Sequence, residues 1–381
     1  MAITVAGEAP GSAVRPAHFL ADVYAFDWTK MEWRLPGVSA AAVGICLFVG
    51  VGLGHPGGAL IAGGGALTTG LGANQRISDS RVLPMVFAVL AMASATLVGT
   101  MAGHRGYALV AASAVAAAIY GVLTIRNAGV AWVGQQAAVT LFVASAFPMG
   151  PRGALERMGL IAAGGALQVV MTTAGLKLLP QLRTDLLAIP RTVYTSMVEQ
   201  REEFLRRIAE LPLALPAPDR AAAGAYALRL LVTVVVASEV YRRLGIQSGY
   251  WVPMTALLVQ KPAFYETLER GLMRVAGTIC GATVATLLVR ELALHGSFGP
   301  WSLAGLTMFF AYWTFATLSV NYGLFSLFMT SYIVFLLSLN AIPGPEIAHR
   351  RAACTALGAG IALVFHLDAL RRGRQGSGIR H

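Results

Sequence analysis

Three basic residues stand in apolar surroundings where charge is costly. Arg270 and Arg274 lie four positions apart, so on a helix they share one face, and Lys261 precedes them across Pro262. Cations gathered on one face attract an anion, and an arginine fork holds a carboxylate through paired hydrogen bonds. Arginines at the end of a membrane span also snorkel toward lipid headgroups, and the residues alone leave both readings open. Upstream, Tyr250, Trp251, Val252, Pro253, Met254 and Thr255 follow one another in a short apolar run. Proline inside a span frees backbone groups, which is tolerated where protein or a water-filled cavity satisfies them again. On that reading Trp251 and Thr255 shape a constriction beside the arginines. Gly277 and Gly281 repeat the four-residue spacing and suit close packing against a neighbouring helix.

Weaker candidates each carry a plain alternative. Arg81 is the first-half counterpart of the arginine pair, without a second arginine four residues on. Glu239 is an intramembrane acid, a type that relays protons, yet Arg242 and Arg243 follow it closely enough to neutralise it. Gln135 and Gln136 either face a polar path or join helices. Tyr312, Trp313 and Phe315 either stack an aromatic substrate or simply pack, and Asp368 is expected to pair with Arg371 or Arg372. His55, His104, His295, His349 and His366 stand apart with no metal-ligand spacing, so no metal, cofactor or enzymatic constellation is expected. Gly63, Gly64 and Gly65 lack the Lys-Ser/Thr of a phosphate loop and read as a close helix contact.

The elements that must hold these residues are membrane helices. The 381 residues are 56% hydrophobic and 12% charged, with a mean hydropathy of +0.65, which excludes an ordinary soluble domain. Spans of about 17–25 residues are read at 35–54, 57–73, 83–103, 106–125, 129–148 and 158–179. Six more follow at 223–243, 247–261, 271–291, 300–318, 321–341 and 350–370. The runs are continuously apolar, without the alternation of a β-barrel. Residues 1–34 lack a secretory signal, and Phe19, Val23, Phe26, Trp28 and Trp33 suit an interfacial segment. Cys46, Cys280 and Cys354 all fall within spans and are read as small packing residues.

The chain reads as two copies of one unit. Asn127 and Gly129 return as Asn321 and Gly323, and Pro151, Arg157 and Gly164 return as Pro345, Arg351 and Gly358, all at an offset of 194. Ala95, Thr96 and Leu97 return at 190 as Ala285, Thr286 and Leu287. The two doubtful spans, 57–73 and 247–261, decide the topology. With six spans per half and the N-terminus inside, 21 of the 29 basic residues fall on the cytoplasmic side. The repeats are then parallel, residues 1–34 and the basic tail 371–381 are cytoplasmic, and 35–179 and 223–370 form the bundles. The linker at 180–222 carries an amphipathic helix starting near Pro190, either a connector or a docking surface. The net charge of +11 is spread beside the spans, which points to the anionic lipid bilayer and not to nucleic acid.

The Trp-x-Pro-x-Thr element at Trp251 to Thr255, followed by Arg-x-x-x-Arg-x-x-Gly-Thr-x-x-Gly at Arg270 to Gly281, occurs in a six-span unit present twice around a cytoplasmic segment. This pattern resembles the fusaric-acid-resistance superfamily of bacterial membrane proteins over residues 30–370. The superfamily includes the aromatic acid exporters, and the plant aluminium-activated malate transporters are similar in their six-span unit. The resemblance implies export of small organic anions, aromatic carboxylates among them, across the bacterial inner membrane, in some members with a periplasmic adaptor subunit. A passive anion channel is the alternative, and a non-transporting scaffold of an envelope complex is a second one. The expectation is an all-α polytopic membrane protein of about 12 transmembrane helices in two parallel six-helix repeats. Arg270, Arg274 and Lys261 gather the anion, Trp251 and Thr255 shape the path, Arg81 contributes from the first copy and Glu239 couples protons. The sequence leaves open whether the chain forms a homo-oligomer.

Overall fold

A computed structural model describes residues 21–77, 80–124, 127–178, 217–294, 299–340 and 344–377. The linker helix expected near Pro190 lies outside the described residues, as do the side chains that would test Asp368. After two single-turn helices at Ala21–Tyr24 and Trp28–Lys30 come α1 (Arg34–Gly52), α2 (Pro56–Leu71), α3 (Val82–Ala102), α4 (Gly106–Leu123), α5 (Ala128–Ser145) and α6 (Pro151–Leu178). The second half holds α7 (Ala217–Leu244), α8 (Trp251–Val259), α9 (Phe264–Leu294), α10 (Pro300–Thr317), α11 (Tyr322–Ser338) and α12 (Gly344–Ser377). No named strand occurs among the described residues. Among the described residues, seven helices are long and apolar enough to cross a membrane: α1, α3, α4, α5, α9 and the apolar parts of α6 and α7. The protein is a multi-pass membrane protein built of helices.

Contacts at the helix ends fix the path of the chain. At one end, the Asp27 N–H donates to the Val320 carbonyl at 3.2 Å, Leu35 clusters with Ala73 and Val82, and His366 meets the Lys261 carbonyl at 2.8 Å. At the other, Gly52 faces Trp301, Gly57 faces Asn340, Gly106 faces Arg242, and Phe147 packs on Tyr250. Successive helices therefore alternate in direction, and the starts of α1 and α7 lie at the same end as the ends of α6 and α12. We call this the near end.

The doubtful spans differ from expectation in an instructive way. The Gly-rich stretch 57–73 forms a continuous helix, α2, extended by a 3-10 turn at Gly72–Asn74. The expected span at 247–261 is a correction: only Trp251–Val259 is helical, nine residues, or about 14 Å, roughly half a hydrocarbon core. Nor does Pro253 break it. Pro253 is the third residue of α8, in the first turn, where its missing N–H costs no helical hydrogen bond. The chain covers the remaining depth in non-helical form at each end of α8. Gly249 lies against Tyr241, whereas the Gln260 and Pro262 carbonyls accept from Tyr226 and Arg229.

Helices in lipid gain little from burying apolar surface against one another, so small residues that admit close backbone approach take over. Gly65 lies against the Ile161 carbonyl and Gly63 against Leu47, so the triple glycine is a helix contact. Gly277 and Gly281 of α9 lie on the Gly323 and Leu327 carbonyls of α11. Gly164 of α6 sits on the Ala62 carbonyl, and Gly358 of α12 sits on the Val252 carbonyl. Among the strongest packing pairs, α2–α6, α3–α5, α3–α6, α4–α5 and α1–α2 have the counterparts α8–α12, α9–α11, α9–α12, α10–α11 and α7–α8. The halves meet through α1–α10 and α4–α7. One apolar core joins α1, α2, α10 and α11 around Leu47, Leu67, Phe310 and Phe335. The other joins α4, α5, α7, α8 and α12 around Ala117, Phe142, Leu230 and Leu257.

The cysteines separate. Cys354 is buried and Cys46 half-buried, as packing residues should be, but Cys280 is exposed on the outside of α9, which corrects the expectation for that residue.

Candidate functional site

The second half contains a buried polar seam assembled from four helices at four-residue spacing. On α8, Trp251 and Thr255 are 5% and 1% exposed, and eight of the nine α8 residues are buried, so the helix is enclosed on all sides. Arg274 and Thr278 occupy one face of α9, Tyr322, Ser326 and Thr330 one face of α11, and Arg351 and Thr355 one face of α12. Four-residue spacing puts each set on a single helix face. The glycines bring these faces together: a Cβ on Gly277 would meet Ser326, one on Gly281 would meet Thr330, and one on Gly358 would meet Thr255.

Arg270 and Arg274 both engage Tyr322. The Arg270 guanidinium carbon stands 4.0 Å from the Tyr322 ring centroid, and Arg274 Nη1 donates to Tyr322 Oη at 3.5 Å. A guanidinium over an aromatic face is held by the ring quadrupole without being neutralised. Arg274 is 5% exposed. Its Nε and the Arg270 Nε make no hydrogen bond, and among the described residues no carboxylate pairs with either arginine. Snorkelling is the weaker account of Arg274, because its guanidinium stays inside the bundle.

Lys261 follows α8 at the near end. Its backbone N–H donates to Thr267 Oγ1 at 2.9 Å, and its carbonyl meets His366 Nε2, which ties the connection to α9 and α12. Burial pushes its ammonium down to about 8, helped by the positive charge of Arg270 and opposed by Glu266. Beside it Gln260 is fully buried with both side-chain amide atoms unpartnered. The near-end wall is Tyr226, whose hydroxyl donates to the Gln260 carbonyl at 3.2 Å, and Tyr120, whose hydroxyl accepts from Gln135 Nε2 at 3.1 Å. Gln135 thus joins α5 to α4 at the edge of this region, and Gln136 is buried.

Other sequence candidates lie elsewhere. Arg81 precedes α3, which packs with α2, α4, α5 and α6, so it belongs to the first bundle and is not brought to Arg274. Glu239 is at the far end of α7, where it accepts from Arg242 Nε at 2.8 Å and from Arg243 Nε at 2.6 Å. It is the centre of a surface ion-pair cluster and stands apart from the seam. Trp313 packs between Trp33 and Phe328, and Tyr312 Oη donates to the Trp33 carbonyl at 3.5 Å. Phe315 lines a small near-end groove with Lys30, Glu32, Ser39 and Asn74. Lys30 there is already paired with Asp27 at 2.6 Å and Glu32 adds a negative charge, so the groove offers an anion little.

Sequence reasoning missed Arg351, which figured there only as the repeat counterpart of Arg157. It is 1% exposed, lies 4.0 Å from the Trp251 ring centroid, and donates from Nε to Thr330 Oγ1 at 3.2 Å. The available signal was its neighbour. Glu346, four residues before Arg350, pairs with Arg350, and one residue turns a helix by about 100°, which takes Arg351 off that face and into the interior. No group of acids, histidines and cysteines suited to a metal ion occurs among the described residues.

Residues 232–365, most of the seam-bearing half, match the family described as fusaric acid resistance protein-like. An uncharacterized protein of Synechocystis sp. is 27% identical over 148 residues, 39% of this chain and 19% of that protein. An uncharacterized protein of Neisseria gonorrhoeae is 30% identical over 138 residues, 36% of this chain and 32% of that protein. The match therefore spans well under two thirds of either relative. No solved structure matches this chain.

Proposed function

We propose that this protein exports small organic anions, aromatic carboxylates among them, across the inner membrane of a bacterium, with the near end facing the cytoplasm. The family match supports a membrane transport or resistance role. The observation that carries the anion reading is Arg274: a guanidinium 5% exposed among apolar helices, with no carboxylate partner among the described residues. Burying an unpaired charge costs several kcal/mol, and a bound anion offsets that cost. Lys261 and Arg270 draw the anion to the near end, and Arg274 receives it beside Tyr322. The basic residues crowding the near end favour placing it in the cytoplasm. Matching helix contacts in the two halves support a duplicated unit whose second copy carries the charge.

The test is flux from proteoliposomes loaded with radiolabelled benzoate or malate, with and without an imposed proton gradient. An exporter moves anion faster when the gradient is present. Flux that follows membrane voltage alone makes the protein a passive channel. Absence of flux and current, with a stable protein partner recovered from the membrane, would point to a scaffold instead.

A further inference from the structure

We propose that Arg351 holds a carboxylate in an occluded site between α8, α9, α11 and α12, deeper than the near-end mouth and beyond Arg274 on the same path. The proposal deepens the transport reading and rests on it for its biological sense, but the site can be tested without flux.

Two cations mark the path. Arg351 and Arg274 are 1% and 5% exposed, on α12 and α9, which pack against each other. Like charges buried together repel, and among the described residues no acid stands between them to relieve this. Arg351 Nη1 and Arg274 Nε are buried N–H groups without partners. Along the seam they are separated by about two helical turns, because Arg274 meets α11 at Tyr322 and Arg351 meets it at Thr330. The intervening turn carries Thr278 on α9 and Ser326 on α11, whose buried hydroxyls also lack partners. Thr255 Oγ1 on α8 is a further unpartnered hydroxyl. A carboxylate accepts only, and these groups are donors, so the unmet capacity has the polarity an organic anion supplies.

The same position in the first half shows what an arginine without such a site does. Arg157 is the counterpart of Arg351 at the 194-residue offset. It is half-exposed, lies 5.4 Å from the Phe147 ring centroid and donates to the Phe147 carbonyl, so it is satisfied locally at the far end. Arg351 instead turns inward under Trp251. Closure by Trp251 on one side and Tyr322 on the other makes this an occluded position along a path.

The experiment is thermal unfolding of the purified full-length protein in detergent, titrated with sodium benzoate against sodium chloride at matched ionic strength. Wild type should be stabilised saturably by benzoate and not by chloride. Arg351→Met should lose the benzoate response while unfolding no earlier than wild type in chloride, because it removes a buried unpaired charge. Arg157→Met should keep the response. Should Arg351→Met not fold, Arg351→Lys keeps the charge but loses the fork and should bind benzoate at least ten-fold more weakly. A full benzoate response in Arg351→Met, or wild-type affinity in Arg351→Lys, overturns the site. Equal stabilisation by chloride overturns the carboxylate assignment. Benzoate stabilisation without any flux in proteoliposomes overturns the transport reading and leaves the site standing.

Discussion

Substituting Gly281 by alanine should separate α9 from α11 and so disturb the seam without touching a charged group. A Cβ at Gly281 would lie 2.2 Å from the Leu327 carbonyl oxygen and 3.0 Å from Thr330 Cβ. An ordinary carbon–oxygen contact is about 3.3 Å or more, so the helices must part by roughly 1 Å. The Ser331 hydroxyl, which donates to the Gly281 carbonyl at 3.0 Å, loses its geometry. Overpacking of this kind costs about 1–3 kcal/mol. Tryptophan fluorescence during heating in detergent should show Gly281→Ala unfolding several degrees earlier than wild type. Gly360→Ala serves as control. That glycine is exposed on α12 with nothing within 4 Å of its would-be Cβ. Alanine there should be neutral or stabilise by up to about 1 kcal/mol through helix propensity. The reasoning is refuted if Gly281→Ala unfolds with wild type, because then α9 and α11 do not approach as closely as described.

Anion uptake should weaken as pH rises from 7 to 9, because Lys261 loses its charge through about 8; Lys261→Arg should flatten the profile of initial uptake rate against pH. Glu239→Gln should leave gradient-driven flux intact, since the carboxylate is engaged by Arg242 and Arg243 at the far end; loss of pH-gradient coupling with folding intact would restore a proton-relay role. Asn127→Ala and Asn321→Ala each remove a side chain that accepts from two N–H groups at a helix start, a loss of about 1 kcal/mol. The cost should be larger at Asn321, whose amide also donates to the Ala25 carbonyl at 3.0 Å, and apparent melting temperatures of the two variants would show the order.

Much of the fold was legible because the physics that sets it is local. Uninterrupted apolar runs placed the helices, and Asn127 and Asn321 mark two helix starts by type alone, each capping the following turn. The second helix of the second half was misread because mean hydropathy over a window does not show where turns replace helix, as they do at 247–250. Nine residues are helical where fifteen were expected, and Pro253 proved to be a first-turn proline. At the site, Arg270 and Arg274 were visible from spacing, whereas their shared partner Tyr322 comes from a helix 48 residues later than Arg274. Arg351 escaped because position near the end of a span suggested exposure. The hydroxyl ladder of Tyr322, Ser326 and Thr330 was present in the sequence as a four-residue repeat, but nothing in one chain says that α9 and α12 face it. The glycine contacts, through which that convergence is achieved, are legible only as small residues until the opposing carbonyls are known.

The central claim is that Arg274 carries an organic anion through the second half of the bundle. Benzoate flux through wild type and Arg274→Gln, reconstituted at equal density in proteoliposomes, tests it most directly. The account predicts saturable flux in wild type and a fall of at least ten-fold in the variant, with both proteins folded by the heating assay. Equal flux in the two would contradict it.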